Sequence, residues 1–216
     1  MKTVAAVVRE IIDESEIALS ALQSGILNLS AFAKKIREEV SSRAGKSVTT
    51  GSIVVALSRY EYDAKKRTPL TPTILIESIS TRSNLSELTF ARTQTIRTRL
   101  KEIHENTNLL DAEILTVTSG IREVSLIVPS TLKNEVITIF SGTTPTLILE
   151  ELACLTVRFP ARYLHTPNTI FTLLRPLALN RINIVEVVST YTELSIIVAE
   201  KDLQSAFTIF SKLPTI

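Results

Sequence analysis

The sequence predicts an α+β protein in which a helical N-terminal unit precedes two similar βαββαβ units. Apolar residues recur at helical spacing through the first third of the chain, and a segment with two prolines follows. β-branched runs then alternate with amphipathic stretches, which is typical of mixed strands and helices. This second part repeats itself, because TPTILIE at residues 71–77 recurs as TPTLILE at residues 144–150.

Further repeats set the expected domain boundaries. EVSLIV at residues 123–128 recurs as ELSIIV at residues 193–198, and TIFS at residues 138–141 recurs at residues 208–211. We therefore expect a helical headpiece at residues 1–66, followed by domains at residues 80–150 and 151–216. The second copy ends before a closing strand, so we expect an additional strand at residues 71–79 to complete the sheet of the second domain.

Composition argues against several functional classes. A net charge of +2 over 216 residues gives no chain-wide attraction to nucleic acid or membrane, and no apolar run approaches the roughly 18 residues of a membrane span. The chain has no glycine-rich phosphate loop, and no His or Cys set has metal-ligand spacing. We expect a cytoplasmic protein that is not an enzyme and carries no cofactor or metal.

The headpiece is predicted to contain three helices. Gly25 ends the first, Asn28 or Ser30 caps the second, and Gly45 supplies its left-handed stop. The third follows Thr50 and places apolar residues at inward-facing positions. Three short helices joined by tight turns form a small bundle.

This bundle resembles a helix-turn-helix DNA-binding unit in LSAFAKKI at residues 29–36 and VTTGSIVVAL at residues 48–57. Residues 34–67 contain nine basic and four acidic residues, which gives this segment a local excess of positive charge. The resemblance assigns base-facing positions to Thr49, Thr50, Ser52 and Arg59, and phosphate contacts to Lys34, Lys35, Lys46, Lys65, Lys66 and Arg67. The presumed recognition helix is mostly apolar, so a solvated bundle or an oligomerisation module remains the alternative.

The repeated part resembles the ACT domain family. The residues that carry the resemblance are TPNTIFTLLRPLALNRINI at 166–184 and IIVAEKDLQSA at 196–206, whose Asp202 matches an acidic residue of the family. Asn168 stands where the family has glycine, and the first copy has Arg92-Thr93-Gln94 with neither proline nor glycine. The resemblance implies two ferredoxin-like domains that sense a small molecule, usually an amino acid, with a degenerate site in the first copy.

The candidate ligand site lies at the start of the helix in the second copy. A helix N-terminus presents unpaired amides and partial positive charge, which suit a carboxylate. Asn183 could serve an amino group. The residues assigned to ligand binding are Arg158, His165, Thr166, Asn168, Thr169 and Asn183. The alternative is that Thr166 and Asn168 only cap the helix and that Asn183 only satisfies a strand end.

Three functional hypotheses follow. The first is a regulator in which paired ACT-like domains sense an amino acid and the headpiece binds DNA or a partner. The second is an assembly protein whose ACT-like units form a homo-oligomer through strand edges and helix faces. The third is a regulatory subunit of an amino-acid biosynthetic enzyme, because the tandem resembles the regulatory region of aspartate kinases.

Overall fold

The structure is a computed structural model that describes residues 2–66 and 71–216. The chain divides into two compact units, Met1–Pro72 and Thr73–Ile216, and each has its own apolar core. Arg67, one of the candidate DNA contacts, lies outside the described residues.

The described part of the N-terminal unit contains four helices, so the prediction of three is wrong. They are α1 Val4–Asp13, α2 Glu16–Gln23, α3 Leu29–Ala44 and α4 Thr50–Ala64. The predicted first helix breaks at Ser15, whose hydroxyl accepts a hydrogen bond from the Ala18 amide at 3.3 Å. Serine side chains often accept hydrogen bonds from nearby backbone amides in this way. Here the Ser15 hydroxyl caps the N-terminus of α2.

The other local signals of the headpiece act as predicted. Asn28 caps α3 by accepting from the Ala31 amide at 3.0 Å. Gly45 ends α3 with a φ of 67°, a conformation that glycine adopts without steric cost. Val8, Leu22, Val40 and Leu57 are fully buried in the bundle core.

The C-terminal unit is one six-stranded antiparallel sheet with helices. In chain order its elements are β1 Ser78–Ala91, α5 Gln94–Glu105, α6 Thr107–Leu110, β2 Thr116–Ser119, β3 Glu123–Pro129, α7 Lys133–Ile139, β4 Leu147–Arg158, α8 Thr169–Leu179, β5 Ile184–Ser189, β6 Glu193–Ala199 and α9 Leu203–Phe210. The strand order is β2-β3-β1-β4-β6-β5.

Both long strands take part in both copies of the repeat. Residues 85–91 of β1 pair with β3, whereas residues 78–82 of the same strand pair with residues 154–158 of β4. In turn, residues 147–149 of β4 return to pair with residues 87–89 of β1. The two copies are therefore joined within one hydrogen-bonded sheet.

The strand predicted at residues 71–79 lies with the second copy, as expected, since Ser78 and Ile79 pair with β4 and Ile76 is buried in the core of that copy, but its predicted bounds are wrong. Regular strand begins at Ser78 and continues without a break to Ala91, because its pairing partner is the far half of β4. Residues 73–77 lie beside the C-terminus instead. The Ile76 amide donates to the Pro214 carbonyl at 2.9 Å, and the Ile76 carbonyl accepts from the Ile216 amide at 3.1 Å.

The sheet has an irregularity at the same place in each long strand. Asn84 in β1 and Glu151 in β4 adopt positive φ values of 57° and 54°, and the β1–β4 register shifts beside them. Each lies four residues before a core leucine, Leu88 or Leu155, so the two positions are equivalent. Such bulges turn each strand from one copy toward the other.

The sheet curls until its two edge strands meet. The Thr118 hydroxyl on β2 donates to the Glu186 carboxylate on β5 at 2.7 Å, although these strands stand at opposite ends of the strand order. Helices cover the outer face over two apolar cores. The inner face carries a smaller cluster of Leu85, Ile127, Leu152, Cys154 and Ile197.

Two acidic side chains lie at this junction of the edges. Glu87 is only 7% exposed, and one oxygen of Glu87 and one of Glu186 are buried without a hydrogen-bond partner among the described residues. Burial, and then the neighbouring charge of Glu186, raise the pKa of Glu87 above its ordinary value. Hydrogen bonds from Ser125 and Thr89 oppose this increase in the pKa.

The bulge at Glu151 predicts a stabilising substitution. A left-handed conformation costs a non-glycine residue roughly 1–2 kcal/mol, and asparagine tolerates it better. Glu151→Asn should therefore raise the free energy of unfolding by about 0.5–1 kcal/mol in chemical denaturation. Glu123→Asn, at an exposed position in β3 with ordinary strand φ, is the control and should be neutral or destabilising. Equal effects of the two substitutions would contradict this reading of the bulge.

The buried acid predicts a pH dependence of stability. An acid whose pKa rises on folding contributes most stability below its unfolded pKa of about 4.3, and that contribution is lost as pH rises through the native pKa. Glu87→Gln removes the charge and can donate to Glu186. It should raise stability at pH 8 by roughly 1–3 kcal/mol, the usual cost of one unpaired buried polar group.

The measurement is thermal or urea unfolding of both proteins between pH 5 and pH 8. The advantage of Glu87→Gln should grow with pH across this range, whereas the exposed control Glu123→Gln should show no such growth. A difference that stays constant with pH would exclude titration of Glu87 as its cause.

Candidate ligand-binding site

A surface pocket of about 360 Å³ lies at the N-terminus of α8. Three segments build it: the loop that follows β4, the first turn of α8, and the turn between β5 and β6. Its volume is at the lower end of the roughly 300–1,000 Å³ of small-molecule sites. The lining residues are Phe159, Tyr163, Leu164, Thr166, Asn168, Thr169, Ile170, Phe171, Ser189, Thr190 and Tyr191.

Tyr163 anchors the loop that follows β4. This loop forms a short 3-10 helix, Ala161–His165. The Tyr163 hydroxyl accepts from the Leu75 amide at 3.0 Å and donates to the Thr73 carbonyl at 3.2 Å. Burial raises the pKa of Tyr163, but the hydrogen bond from Leu75 and the nearby Arg162 guanidinium outweigh it and leave this pKa below its ordinary value. One wall of the pocket is therefore tied to the start of the C-terminal unit.

The first turn of α8 contributes Thr169, Ile170 and Phe171 to the pocket lining. Asn168 precedes the helix in a left-handed conformation, with a φ of 66°, and its side chain makes no cap hydrogen bond to the helix. This conformation explains why asparagine can stand where the ACT family has glycine. The first amides of any helix lack intrahelical acceptors and lie at the positive end of the helix dipole. The end of the pocket beside α8 is thus suited to an anionic group.

The predicted site residues fall into two groups. Thr166, Asn168 and Thr169 lie together in the pocket lining, where the buried Thr169 hydroxyl donates to the Thr166 carbonyl at 2.9 Å. Arg158, His165 and Asn183 are exposed and lie outside that lining. Arg158 instead forms an ion pair with Glu77, with 3.0 Å between Nε and Oε2.

Sequence reasoning missed the apolar residues of the pocket. Phe159, Tyr163 and Phe171 lie within or beside the predicted loop and helix, so their aromatic character was a usable signal. Ser189, Thr190 and Tyr191 come from the β5–β6 turn, about twenty residues later, and no local pattern indicated that this turn reaches α8.

In the first copy, an arginine side chain spans the position that is equivalent to the pocket. Main-chain bonds place the two copies in correspondence, because the Arg92 amide donates to the Arg122 carbonyl at 2.7 Å as the Phe159 amide donates to that of Thr192 at 2.9 Å. Thr93 caps α5 by accepting from the Ile96 amide at 3.3 Å. The Arg92 guanidinium also donates to the Gly120 carbonyl at 2.8 Å, whereas the aromatic side chain of Phe159 lines the pocket in the second copy.

The candidate DNA contacts of the headpiece differ in their exposure and in the contacts that they make. Lys34, Lys35, Lys46 and Arg59 are exposed, and Thr50 is half-buried as the first residue of α4. Thr49 and Ser52 form the cap of this helix, in which the Ser52 hydroxyl donates to the Thr49 carbonyl at 2.8 Å. Lys65 pairs with Glu61 at 2.7 Å, and the Lys66 ammonium lies 3.9 Å from the centre of the Tyr62 ring.

Other reactive groups offer little support for catalysis or metal binding. Cys154 is buried in the inner face of the sheet, and burial raises the pKa of its thiol, which disfavours the nucleophilic thiolate. Within residues 2–66 and 71–216, no three His, Cys, Asp or Glu side chains are grouped to hold a metal ion. No helix in these same ranges is long and apolar enough to cross a membrane.

Comparisons with known proteins identify the fold. No protein-family model matches the sequence, and no curated protein is detectably similar to it. Among solved structures, the aspartate kinase of Clostridium acetobutylicum matches with a TM-score of 0.54 at 14% identity, covering 69% of this chain. This chain spans only 37% of the length of that kinase.

Two separate regulatory subunits of aspartate kinase also match. Those of Thermus thermophilus and Thermus flavus give TM-scores of 0.51 and 0.53 at 10% and 9% identity. Each match covers 64% of this chain and 97% or 98% of the subunit. The chain therefore contains an ACT-like fold of the kind found in aspartate kinase regulatory domains, as the residues at 166–206 predicted.

Proposed function

We propose that this chain is a non-enzymatic regulatory protein that senses a small carboxylate metabolite, an amino acid, in the α8 pocket. The observation that carries the proposal is the pocket itself, which joins the N-terminus of α8 to a largely apolar wall. Likeness to regulatory subunits of aspartate kinase supports a regulatory role. In this proposal Thr166, Asn168 and Thr169 contact the ligand.

The amides at the start of α8 bind the carboxylate. They are preorganised by the helix, and the dipole adds to their attraction for an anion. Arg158 and His165 lie outside the lining, and this proposal gives them no direct contact with the ligand. Asn183 lies further away on the approach to β5, so its variant serves as a comparison for the pocket residues.

Tyr163 provides a route by which binding affects the rest of the chain. Its ring lines the pocket, and its hydroxyl holds the main chain of Thr73 and Leu75. Thr73 directly follows Pro72, the last residue of the helical unit. A ligand that restrains Tyr163 therefore also restrains the main chain at Thr73 and Leu75.

The headpiece acts as the output of this sensor in our proposal, through DNA or a protein partner. Exposed Lys34, Lys35, Lys46 and Arg59 favour phosphate contacts. Exposed Ile17 and Ile26, which are 78% and 79% accessible, favour a protein partner or a second copy of the chain. A separate regulatory subunit is the second candidate role, because the match to the Thermus subunits spans nearly their full length.

The ligand proposal predicts a thermal shift that depends on α8. Amino acids and their 2-oxo analogues at about 100 times Kd should stabilise the protein by roughly 2.7 kcal/mol. Ile170 lines the pocket as the second residue of the helix, so Ile170→Glu places a carboxylate where the ligand anion would bind. We expect at least tenfold weaker binding, whereas the helix gains about 0.3–1 kcal/mol from an acid in its first turn.

The neutral Ile170→Gln variant controls for lost packing in this test. It should bind better than Ile170→Glu, and Asn183→Ala should bind like the unmodified protein. The proposal fails if no amino acid or 2-oxo acid shifts the melting temperature at millimolar concentration, or if Ile170→Glu binds as tightly as Ile170→Gln.

The DNA-binding form of the headpiece predicts a strong salt dependence. Each phosphate contact contributes a slope of about −0.9 to log K against log salt. Replacing Lys34 and Lys35 with alanine should reduce this slope by about 2 in fluorescence anisotropy with duplex DNA. The matched control replaces Lys101 and Lys212, which are exposed in the C-terminal unit, and should leave the slope unchanged. Absent binding, or binding that does not depend on salt, would exclude this role and favour a protein partner.

A further inference from the structure

We infer that the α8 pocket selects monocarboxylates with a bulky, uncharged, apolar tail, and that it does not depend on the α-amino group of the ligand. This inference rests on the proposed function and names its ligand class. Of the eleven lining residues, none carries a formal charge at neutral pH, and six are aromatic or aliphatic. An uncharged and largely apolar lining of this kind distinguishes ligands by the size and polarity of their tails.

The apolar lining is divided between a floor and a rim. Phe159 and Tyr163 are buried and form the floor. The rim residues are 41–62% exposed: Leu164, Ile170, Phe171 and Tyr191. Four large apolar side chains around one small pocket form a patch that water solvates poorly. A branched or aromatic tail would cover them, and each buried methylene contributes roughly fourfold in affinity.

Charge argues against ligands with an ionised tail. A basic tail would lie near the positive end of α8 and near Arg162, whose guanidinium carbon is 5.1 Å from the centre of the Tyr163 ring. An acidic tail would enter a lining that contains no cationic side chain. Burying an ion without a partner is unfavourable, so the tail that fits is neutral.

The same lining makes the α-amino group dispensable. None of the eleven described lining residues carries a carboxylate, so among them an ammonium group can find only neutral acceptors, such as the hydroxyls of Ser189 and Thr190. Loss of one such hydrogen bond changes affinity by about fivefold, far less than loss of an ion pair. An amino acid and the corresponding 2-oxo acid therefore share the chemistry that the pocket recognises.

The first copy supplies an internal comparison. Arg92 occupies the position that Phe159 holds in the second copy, and it donates to the Gly120 carbonyl across the equivalent space. In the second copy a buried phenyl ring, Phe159, stands in place of this cation and forms part of the apolar pocket lining. The difference between the copies therefore lies in the residues that would meet the tail of a ligand.

Isothermal titration of the full chain tests the inference with six probes: leucine, 4-methyl-2-oxopentanoate, phenylalanine, alanine, lysine and aspartate. We expect leucine and its 2-oxo analogue to bind within about fivefold of each other. Alanine lacks three carbons of the leucine tail and should bind about 60-fold more weakly. Lysine and aspartate should bind at least as weakly as alanine.

Two pairs of variants locate the effect. Phe171→Ala should weaken leucine binding at least tenfold, whereas Phe207→Ala should not, because Phe207 is equally exposed but lies outside the pocket. Ser189→Asp adds the missing carboxylate and should shift the preference toward leucine over its 2-oxo analogue at least tenfold. Ser189→Asn, of the same size, should leave this ratio unchanged. Melting temperatures of the variants verify that each is folded.

The possible outcomes distinguish a failure of the inferred ligand class from a failure of the proposed sensor function. Preferential binding of lysine, aspartate or alanine would overturn the inferred ligand class and leave the sensor proposal standing. Binding of leucine with at least 50-fold weaker binding of the 2-oxo acid would overturn the independence from the amino group. Absence of binding by every probe at millimolar concentration would overturn both this inference and the proposed function.

Discussion

The antiparallel pairing of β1 with β4 is the constraint on which the C-terminal unit depends. Each strand is long enough to serve one copy with its first half and the other copy with its second half. The copies therefore cannot separate without breaking hydrogen bonds at the centre of the sheet. The equivalent bulges at Asn84 and Glu151 turn the strands between the copies, and an isolated parallel bridge joins Ile76 to Thr215 near the C-terminus.

Because the strands of the two copies are equivalent, the loops between them can differ in sequence and in ligand-binding residues. The main-chain bonds of Arg92 and Phe159 are equivalent, yet one side chain closes its space and the other lines a pocket. The additional loop residues of the second copy form the 3-10 helix that contributes Tyr163. Insertions outside the shared strands change a ligand site without disturbing the pairing that holds the fold.

The predictions succeeded where short-range chemistry decides the outcome. Asn28 and Gly45 bound α3, because caps depend on neighbouring residues. Thr166, Asn168 and Thr169 lie together in the pocket lining because they are neighbours in the sequence. The role of Arg158 could not be predicted in this way, since its ion pair is with Glu77, a residue far away in the sequence. Tyr191 was missed because its contact with the pocket depends on how two strands bring a distant turn to α8.

The sequence by itself determined the element types, the repeat, most helix caps and the ACT-like character of residues 166–206, because periodicity and capping are local. The tertiary structure alone decided where β1 begins, since its first residues are selected by pairing with β4 rather than by the Thr-Pro-Thr repeat. It also decided that Thr118 meets Glu186, because the curl of a sheet is set by the accumulated twist of all its strands.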